Sequence, residues 1–110
     1  MTYRSLIVAR MLPDAAPDIA AIFGRSDHES DLPAAVGVRS RSLFQFDRVY
    51  LHLVEGDEPV EHSVTAQRGH TEFRRISEEL RPFVSAYDPE TWREPKDAMA
   101  REFYRWERDA

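Results

Sequence analysis

The chain has 110 residues, a length that suits one domain with a single modest core. It contains no cysteine, which excludes disulfides, a thiol nucleophile and thiolate metal sites. Its 15 basic and 20 acidic residues give a net charge of -5 with no basic stripe, so we do not expect nucleic-acid binding.

The N-terminal segment predicts a strand. YRSLIVARM, residues 3–11, is apolar and partly alternating, and Ile7 and Val8 are β-branched. This apolar run is broken by Arg10 and is too short for a signal peptide or a membrane span. We therefore expect a cytoplasmic protein without membrane contact.

A helix is predicted next. Asp14 can cap it, Pro17 is tolerated in its first turn, and Ile19, Ile22 and Phe23 repeat at helical spacing. Gly24 predicts the end of this helix. RSDHESDLP then reads as a polar connector.

The middle of the chain predicts a hairpin followed by a second helix. The two strands run from about Val36 to Phe46 and from about Val49 to Val54. After EGDEP we expect a short helical piece around 59–67 and a break at Gly69. A stronger helix starts at 71, ends near Pro82 and carries one apolar stripe: Phe73, Ile76, Leu80 and Phe83 or Val84.

The C-terminal part predicts a long loop, SAYDPETWREPKDA, and then a last strand over residues 99–107, although that pattern also fits a helical turn. The order is β-α-β-β-α-β. It predicts an α+β, ferredoxin-like fold, a four-stranded antiparallel sheet with two helices on one face, in a single domain over residues 1–110.

The hairpin raises a specific question about two polar residues. A two-residue turn at Asp47-Arg48 puts Leu43 opposite His52 and makes Arg41 the diagonal neighbour of His52. One face then carries Arg39, Arg41, Leu43, Gln45, Tyr50 and His52. The other face carries Ser42, Phe44, Phe46, Val49, Leu51 and Leu53.

The pattern alone does not decide which face meets the helices. If the apolar face does, Arg41 and His52 are ordinary solvated residues. If the polar face does, the phenylalanine and leucine face is bare, and a second copy of the chain is its simplest cover.

Nearly the whole chain resembles a known family. YRSLIVARM, DLPAAVGVRSRSLFQFDRVYLHLVEGD, GHTEFRRISEEL, YDPETWREPKDAMA and FYRW, in this order and spacing, resemble the tetracenomycin cyclase family. These are small cofactor-free aromatic polyketide cyclases of actinobacterial type II pathways, with spore-pigment relatives. The resemblance implies a ferredoxin-like fold of the dimeric α+β barrel type, a homodimer, and a pocket between sheet and helices.

The resemblance also implies an activity and a set of site residues. The activity is an intramolecular aldol condensation with loss of water that closes a ring of a poly-β-ketone, with no cofactor or metal. The active residues fall on Asp27, Arg41 and His52. Some members have a histidine directly before the aspartate, where this chain has Ser26; His28 follows the aspartate instead and is a second acid/base candidate.

These residue types suit the reaction. Histidine titrates near neutrality and serves as base or acid, so His52 is the expected general acid/base. Arg41 keeps its charge and offers several donors to a developing enolate. Asp27 would orient a histidine or a water.

Other polar and aromatic residues have more ordinary interpretations. His62 and His70 read as surface or capping residues, and Asp27, His28, Glu29 and Asp31 read as a solvated acidic connector that matches no zinc or calcium spacing. Trp92, Tyr104 and Trp106 read as core or interface residues rather than a stacking platform for a planar polyketide.

Two rival functions stay open. One is a cofactor-free monooxygenase of the same fold that oxidises an aromatic polyketide. The other is a non-catalytic dimer that binds a polyketide, or a carrier protein, and guides the folding of the polyketide. The main partner expected is a small-molecule polyketide intermediate. The net negative charge disfavours docking of an acidic carrier protein, so we expect a released intermediate, although transient contact with other polyketide synthase components stays open.

Overall fold

The computed structural model describes residues 2–35, 37–59, 70–93 and 95–108. The strands are β1 Tyr3–Met11, β2 Val38–Phe46, β3 Val49–Gly56, β4 Val84–Ala86 and β5 Met99–Ala100. The helices are α1 Ala16–Glu29, α2 Leu32–Ala35 and α3 Thr71–Leu80, and a 3-10 helix spans Pro95–Ala98.

The strands form one antiparallel sheet in the order β2-β3-β1-β4, and β5 pairs with β1. Helices α1 and α3 cover one face of this sheet, so the predicted α+β, ferredoxin-like fold is confirmed. The core lies between these two layers. It contains Ile19, Ile22 and Phe23 of α1, Ile76 of α3, and Ala9, Met11 and Tyr50 of the sheet.

The fourth strand lies earlier than the sequence predicted. The strand that pairs with the end of β1 is β4, which falls at the predicted end of the second helix and the start of the predicted long loop. The predicted last strand, 99–107, is reduced to the two-residue β5, and residues 101–108 are exposed without regular structure. Three residues are too few for strand periodicity to show, so pairing with β1 specifies β4.

Helix α1 is longer than predicted. It continues through Gly24 to Glu29 and ends at Ser30, whose amide donates to the carbonyl of Ser26. The predicted cap Asp14 is not used, because the N-cap is Ala15 and no side chain caps the helix. The helix continues because its buried side extends past the glycine to Ser26, so packing overrides the weak propensity of Gly24.

Gly24 offers a direct test of this explanation. It lies inside α1 with ordinary helical geometry, and a Cβ placed there meets no atom within 4 Å. We expect Gly24→Ala to raise the free energy of unfolding by about 0.5–1 kcal/mol, because alanine loses less backbone entropy in a helix. Chemical denaturation measures this, and a destabilised variant would contradict it.

The second predicted helix is confirmed in part. Helix α3 begins at Thr71 as predicted and ends at Leu80, before Pro82. Apart from residue 59, the predicted piece at 59–67, together with His62 and Gly69, lies outside the described residues. Among the helices that the structure does describe, none has the length and apolar character needed to span a bilayer.

Candidate active site

The β2-β3 hairpin has the predicted register. Leu43 lies opposite His52 and two residues, Asp47-Arg48, form the turn. Asp47 has φ 54°, in the left-handed region that aspartate tolerates better than most residues. Since side chains alternate between faces, Arg41 and His52 are diagonal neighbours on one face, as the sequence predicted.

This polar face meets the helices. Tyr50 and His52 are only 4% and 5% exposed, because α1 lies over them. On the opposite face Phe44 is 54% exposed and Phe46 is 74% exposed. The question that the sequence left open is therefore answered: the polar face meets the helices, and the face with Phe44 and Phe46 is bare.

Arg39 departs from the predicted face. A β-bulge between Val38 and Ser40 interrupts the register there. The bulged residue is exposed, and its side chain pairs with Asp57 at the surface. The extra residue breaks the alternation on which the prediction depended, so Arg39 is not part of the buried face.

Arg41 is held on two sides. Its Nε and Nη2 atoms donate to the two carboxylate oxygens of Asp27 at 3.0 and 2.9 Å. Its Nη1 donates to Nε2 of His52 at 2.9 Å. The guanidinium also lies over the ring of Phe23, with 4.7 Å from its central carbon to the ring centroid. A bidentate carboxylate and an aromatic face fix the fork in one orientation.

His52 lies between Arg41 and Tyr50. Its Nδ1 is 2.9 Å from the Tyr50 hydroxyl oxygen, and its ring packs against Phe23 in a T-shaped arrangement with 5.1 Å between the ring centroids. Burial, and then the nearby Arg41 charge, lower the pKa of His52 to about 3. The resting imidazole is therefore neutral at physiological pH.

The contacts of His52 also fix its tautomer. A guanidinium has donors only, so Nε2 of His52 must accept from Arg41 and carries no proton. The single ring proton of the neutral imidazole is then on Nδ1, which donates to the Tyr50 oxygen. Tyr50 is thus a fourth member of a chain that runs Asp27–Arg41–His52–Tyr50.

Nitrogen-15 NMR can read this tautomer directly. We expect the His52 ring to show a protonated Nδ1 and a bare Nε2 between pH 5 and 8, without the transition near pH 6.5 of an ordinary histidine. His28 is exposed and lies outside the hydrogen-bonded site, so its ring signals identify resonances that do not report on the site. A His52 ring that titrates near pH 6.5, or that carries its proton on Nε2, would contradict the assignment.

Asp27 and His28 lie on helix α1 rather than in the predicted connector. Asp27 follows Phe23 by one turn, so it faces Arg41 from the same stripe of the helix. His28 is one position further round, and its side chain is exposed and does not line the cavity described below. The structure therefore brings together Asp27, Arg41 and His52, and it leaves His28 outside.

A cavity of about 480 Å³ adjoins these residues, between the sheet and α1, α2 and α3. Most of its wall is apolar, with Phe23, Leu32, Phe73, Ile76 and Trp92 among the lining residues. Arg41, Tyr50 and His52 supply polar groups at one side. An apolar cavity of this size with a few convergent polar groups is typical of a small-molecule site.

The remaining predicted residues have mixed outcomes. Trp92 lines the cavity, which the core-or-interface reading did not anticipate. Tyr104 and Trp106 are exposed, so they are not core residues of the single chain. His70 is the N-cap of α3, where its Nδ1 accepts from the Glu72 amide, and the capping interpretation is confirmed.

Two acidic residues, one near the end of α1 and one just beyond it, are paired with basic side chains. Asp27 forms an ion pair with Arg41, and Oδ1 of Asp31 lies 3.3 Å from Nε2 of His70. Within the described ranges, histidine and carboxylate side chains do not gather in threes that could hold a metal ion.

Comparison with known proteins assigns the chain to a family. The sequence model of the family described as polyketide synthesis cyclase matches residues 3–107. The chain belongs to this cyclase family. Its relatives include an uncharacterized protein of Streptomyces coelicolor, which is 62% identical over 107 residues, covering 96% of each chain.

Two relatives have descriptive names. Polyketide synthase CurG of Streptomyces cyaneus is 49% identical over 107 residues, which cover 97% of this chain and 99% of the relative. Tetracenomycin F2 cyclase of Streptomyces glaucescens is 38% identical over 106 residues, covering 96% and 95%. The solved structure of that cyclase, described as a type-II polyketide cyclase, superposes with a TM-score of 0.89 at 36% identity and covers 97% of this chain and 99% of its own. The predicted family is confirmed.

Proposed function

We propose that the protein closes a ring of a poly-β-ketone intermediate of type II polyketide biosynthesis by intramolecular aldol condensation and loss of water, using no cofactor. The observation that supports this most directly is the fixed Arg41 guanidinium beside a neutral His52 in an apolar cavity. The similarity to tetracenomycin F2 cyclase and polyketide synthase CurG supports the same substrate class.

The reaction begins with a proton transfer from carbon. A methylene between two carbonyls gives its proton to a base, and the electron pair of the C–H bond forms an enolate. In the resting site Nε2 of His52 is occupied by Nη1 of Arg41. A substrate oxygen that accepts from Arg41 would release Nε2, whose lone pair can then take the methylene proton.

The negative charge that forms on the substrate changes the balance at His52. Burial and Arg41 disfavour the imidazolium in the empty site. An enolate bound beside Arg41 offsets that positive charge and favours the protonated ring. His52 can therefore hold the proton after the transfer, although its resting pKa is low.

Ring closure and dehydration use the same groups in sequence. The enolate carbon attacks a carbonyl carbon of the same chain, and the C=O electron pair becomes an alkoxide that takes the proton from His52. His52, neutral again, then takes a second C–H proton and gives it to the departing hydroxide, so that the C=C bond forms and one water is released. The apolar walls, including Phe73 and Ile76, favour a single folded conformer of the substrate near attack.

The test is incubation of the purified protein with candidate pathway intermediates, followed by mass spectrometry. We expect a saturable, protein-dependent product lighter by one water, with no consumption of oxygen. A product that gains oxygen as oxygen is consumed would instead identify a monooxygenase. An altered product spectrum without saturable turnover would identify a non-catalytic binding protein.

We also propose that the protein works as a homodimer assembled on the outer face of the sheet. Phe44 and Phe46 are largely exposed on that face, and Leu51 and Leu53 beside them are only half-buried. A row of apolar side chains on a sheet is unfavourable in water, and a second copy covers it with the same surface.

A charge placed on this face tests the dimer. We expect Phe46→Glu to convert a dimer into a monomer in sedimentation equilibrium, because the carboxylate would be buried without a partner at the interface. Arg48→Glu is the matched control, since residue 48 lies in the adjoining turn. A wild-type protein that sediments as a monomer at high concentration would contradict the proposal.

A further inference from the structure

Tyr50 has a hydroxyl proton that the hydrogen bonds of the site do not use. Its oxygen accepts from Nδ1–H of His52, because Arg41 already donates to the other ring nitrogen. A phenol oxygen that accepts one bond still has its own O–H to donate. Within the described part of the chain, that O–H has no hydrogen-bond acceptor.

The position of Tyr50 at the cavity wall allows its hydroxyl to donate a hydrogen bond to a bound ligand. The residue is 4% exposed and lines the cavity beside His52. Burial raises the pKa of Tyr50 far above its ordinary value, more than the opposing effect of the Arg41 charge lowers it. The phenol therefore stays protonated in any physiological condition, so it can donate a hydrogen bond but cannot serve as a base.

We propose that Tyr50 is a catalytic hydrogen-bond donor, whose O–H binds an oxygen of the substrate while its oxygen holds the Nδ1–H of His52. This rests on the proposed cyclase function, because it names the part of the site that receives a second substrate oxygen. Each hydrogen-bond donor of the site then has one acceptor. Arg41 donates to Nε2 in the resting site, Nδ1–H donates to Tyr50, and the Tyr50 O–H donates into the cavity.

With two separate donors, Arg41 and Tyr50, the site can bind two oxygens of the substrate. Arg41 and Tyr50 meet opposite nitrogens of the His52 ring, so their donors lie on different sides of it. A poly-β-ketone carries an oxygen on every second carbon, so one bound segment can present oxygens to both donors. The imidazole between them is then beside the carbon chain that links those two oxygens. This arrangement selects which methylene loses its proton.

Tyr50→Phe removes the hydroxyl and keeps the ring that fills the core. We expect kcat/KM for ring closure to fall by about 10²-fold, the usual effect of deleting one donor to a developing oxyanion. Tyr87→Phe removes a hydroxyl from a half-exposed tyrosine outside the cavity and should match the wild type. Thermal unfolding of both variants shows whether a loss comes from the fold.

A binding measurement separates a donor to the substrate from a residue that only orients His52. 1,3-Dihydroxynaphthalene is a suitable probe, because it is aromatic and carries oxygens on alternate carbons. Its absorbance reports the pKa of the bound probe. We expect the wild type and Tyr87→Phe to lower that pKa relative to free probe, and Tyr50→Phe to bind the ionised form about 10- to 100-fold more weakly.

The two experiments fail in distinguishable ways. If no intermediate is cyclised but the probe is bound as described, the proposed function is wrong and the donor role of Tyr50 stands. If the wild type and Tyr50→Phe bind the ionised probe equally, or the wild type does not bind the probe, Tyr50 donates no bond to a ligand. The same conclusion follows if Tyr50→Phe cyclises an intermediate at the wild-type rate.

Discussion

Replacing Arg41 by methionine is expected to lower kcat/KM for ring closure by about 10²–10³-fold. Methionine keeps much of the length and apolar volume of the side chain but removes the fixed positive charge. The enolate then loses its strongest donor. Asp27 also loses the bidentate partner at 2.9 and 3.0 Å that holds its carboxylate in place. Steady-state kinetics of water loss measures the effect.

Arg39→Met is the matched control for this variant. Arg39 lies two residues away on the same strand, but it is exposed and pairs with Asp57 at the surface. An exposed pair of this kind contributes little to stability, so we expect the control to cyclise and unfold like the wild type. Equal rates for Arg41→Met and Arg39→Met would remove Arg41 from the mechanism.

Replacing His52 by glutamine is expected to lower the rate by about 10²–10⁴-fold, the range for a positioned acid or base. The amide oxygen of glutamine can still accept from Arg41, so the hydrogen-bond chain survives, while the group can no longer carry a proton. His28→Gln makes the same change on the exposed side of α1. We expect that control to keep the wild-type rate. A His52→Gln variant with the wild-type rate would exclude His52 as the acid/base.

The same substitution is expected to change the acid stability of the fold. The pKa of His52 is about 3 in the folded protein and about 6.5 in the unfolded chain, so the unfolded state binds more protons between those pH values. The free energy of unfolding therefore falls as the pH falls from 6.5 towards 3, by about 1.4 kcal/mol per pH unit from this residue alone. Denaturation at several pH values should show a steeper decline for the wild type than for His52→Gln. Parallel curves would contradict the buried neutral state.

Much of the sheet could be predicted from local sequence. The Asp47-Arg48 turn and the alternation on both sides of it fix the register, so the opposition of Leu43 and His52 followed directly. The start of α3 at Thr71 was also predicted, and so was its apolar stripe as far as Leu80, whereas Phe83 and Val84 lie beyond the end of the helix. In each of these segments the pattern spans several residues with one period.

Other features depend on contacts that local patterns do not contain. Gly24 is a plausible helix end in isolation, but the packing of α1 carries the helix on to Glu29 and places Asp27 on its buried side. The bulge at Arg39 is invisible without the partner strand. The choice of the buried sheet face also depends on α1, because Asp27 of that helix neutralises Arg41.

Tyr50 shows what the sequence interpretation missed. The predicted register already placed Tyr50 on the same face as Arg41 and His52. An aromatic residue in a strand is, however, usually interpreted as part of the core. Its role follows only from the distance to Nδ1 of His52 and from the donor-only character of Arg41. The predicted face could have indicated it, since Tyr50 and His52 are two residues apart on one strand.

The most direct test of the proposed site is to observe His52 during turnover. Nitrogen-15 NMR of the ring, recorded as an intermediate that loses one water is titrated in, should show saturable shifts at both His52 nitrogens and none at His28. The larger change in chemical shift should be at Nε2, because the substrate oxygen displaces this nitrogen from its hydrogen bond with Arg41. If water is lost while the His52 resonances stay unchanged, ring closure takes place elsewhere and the proposed site is wrong.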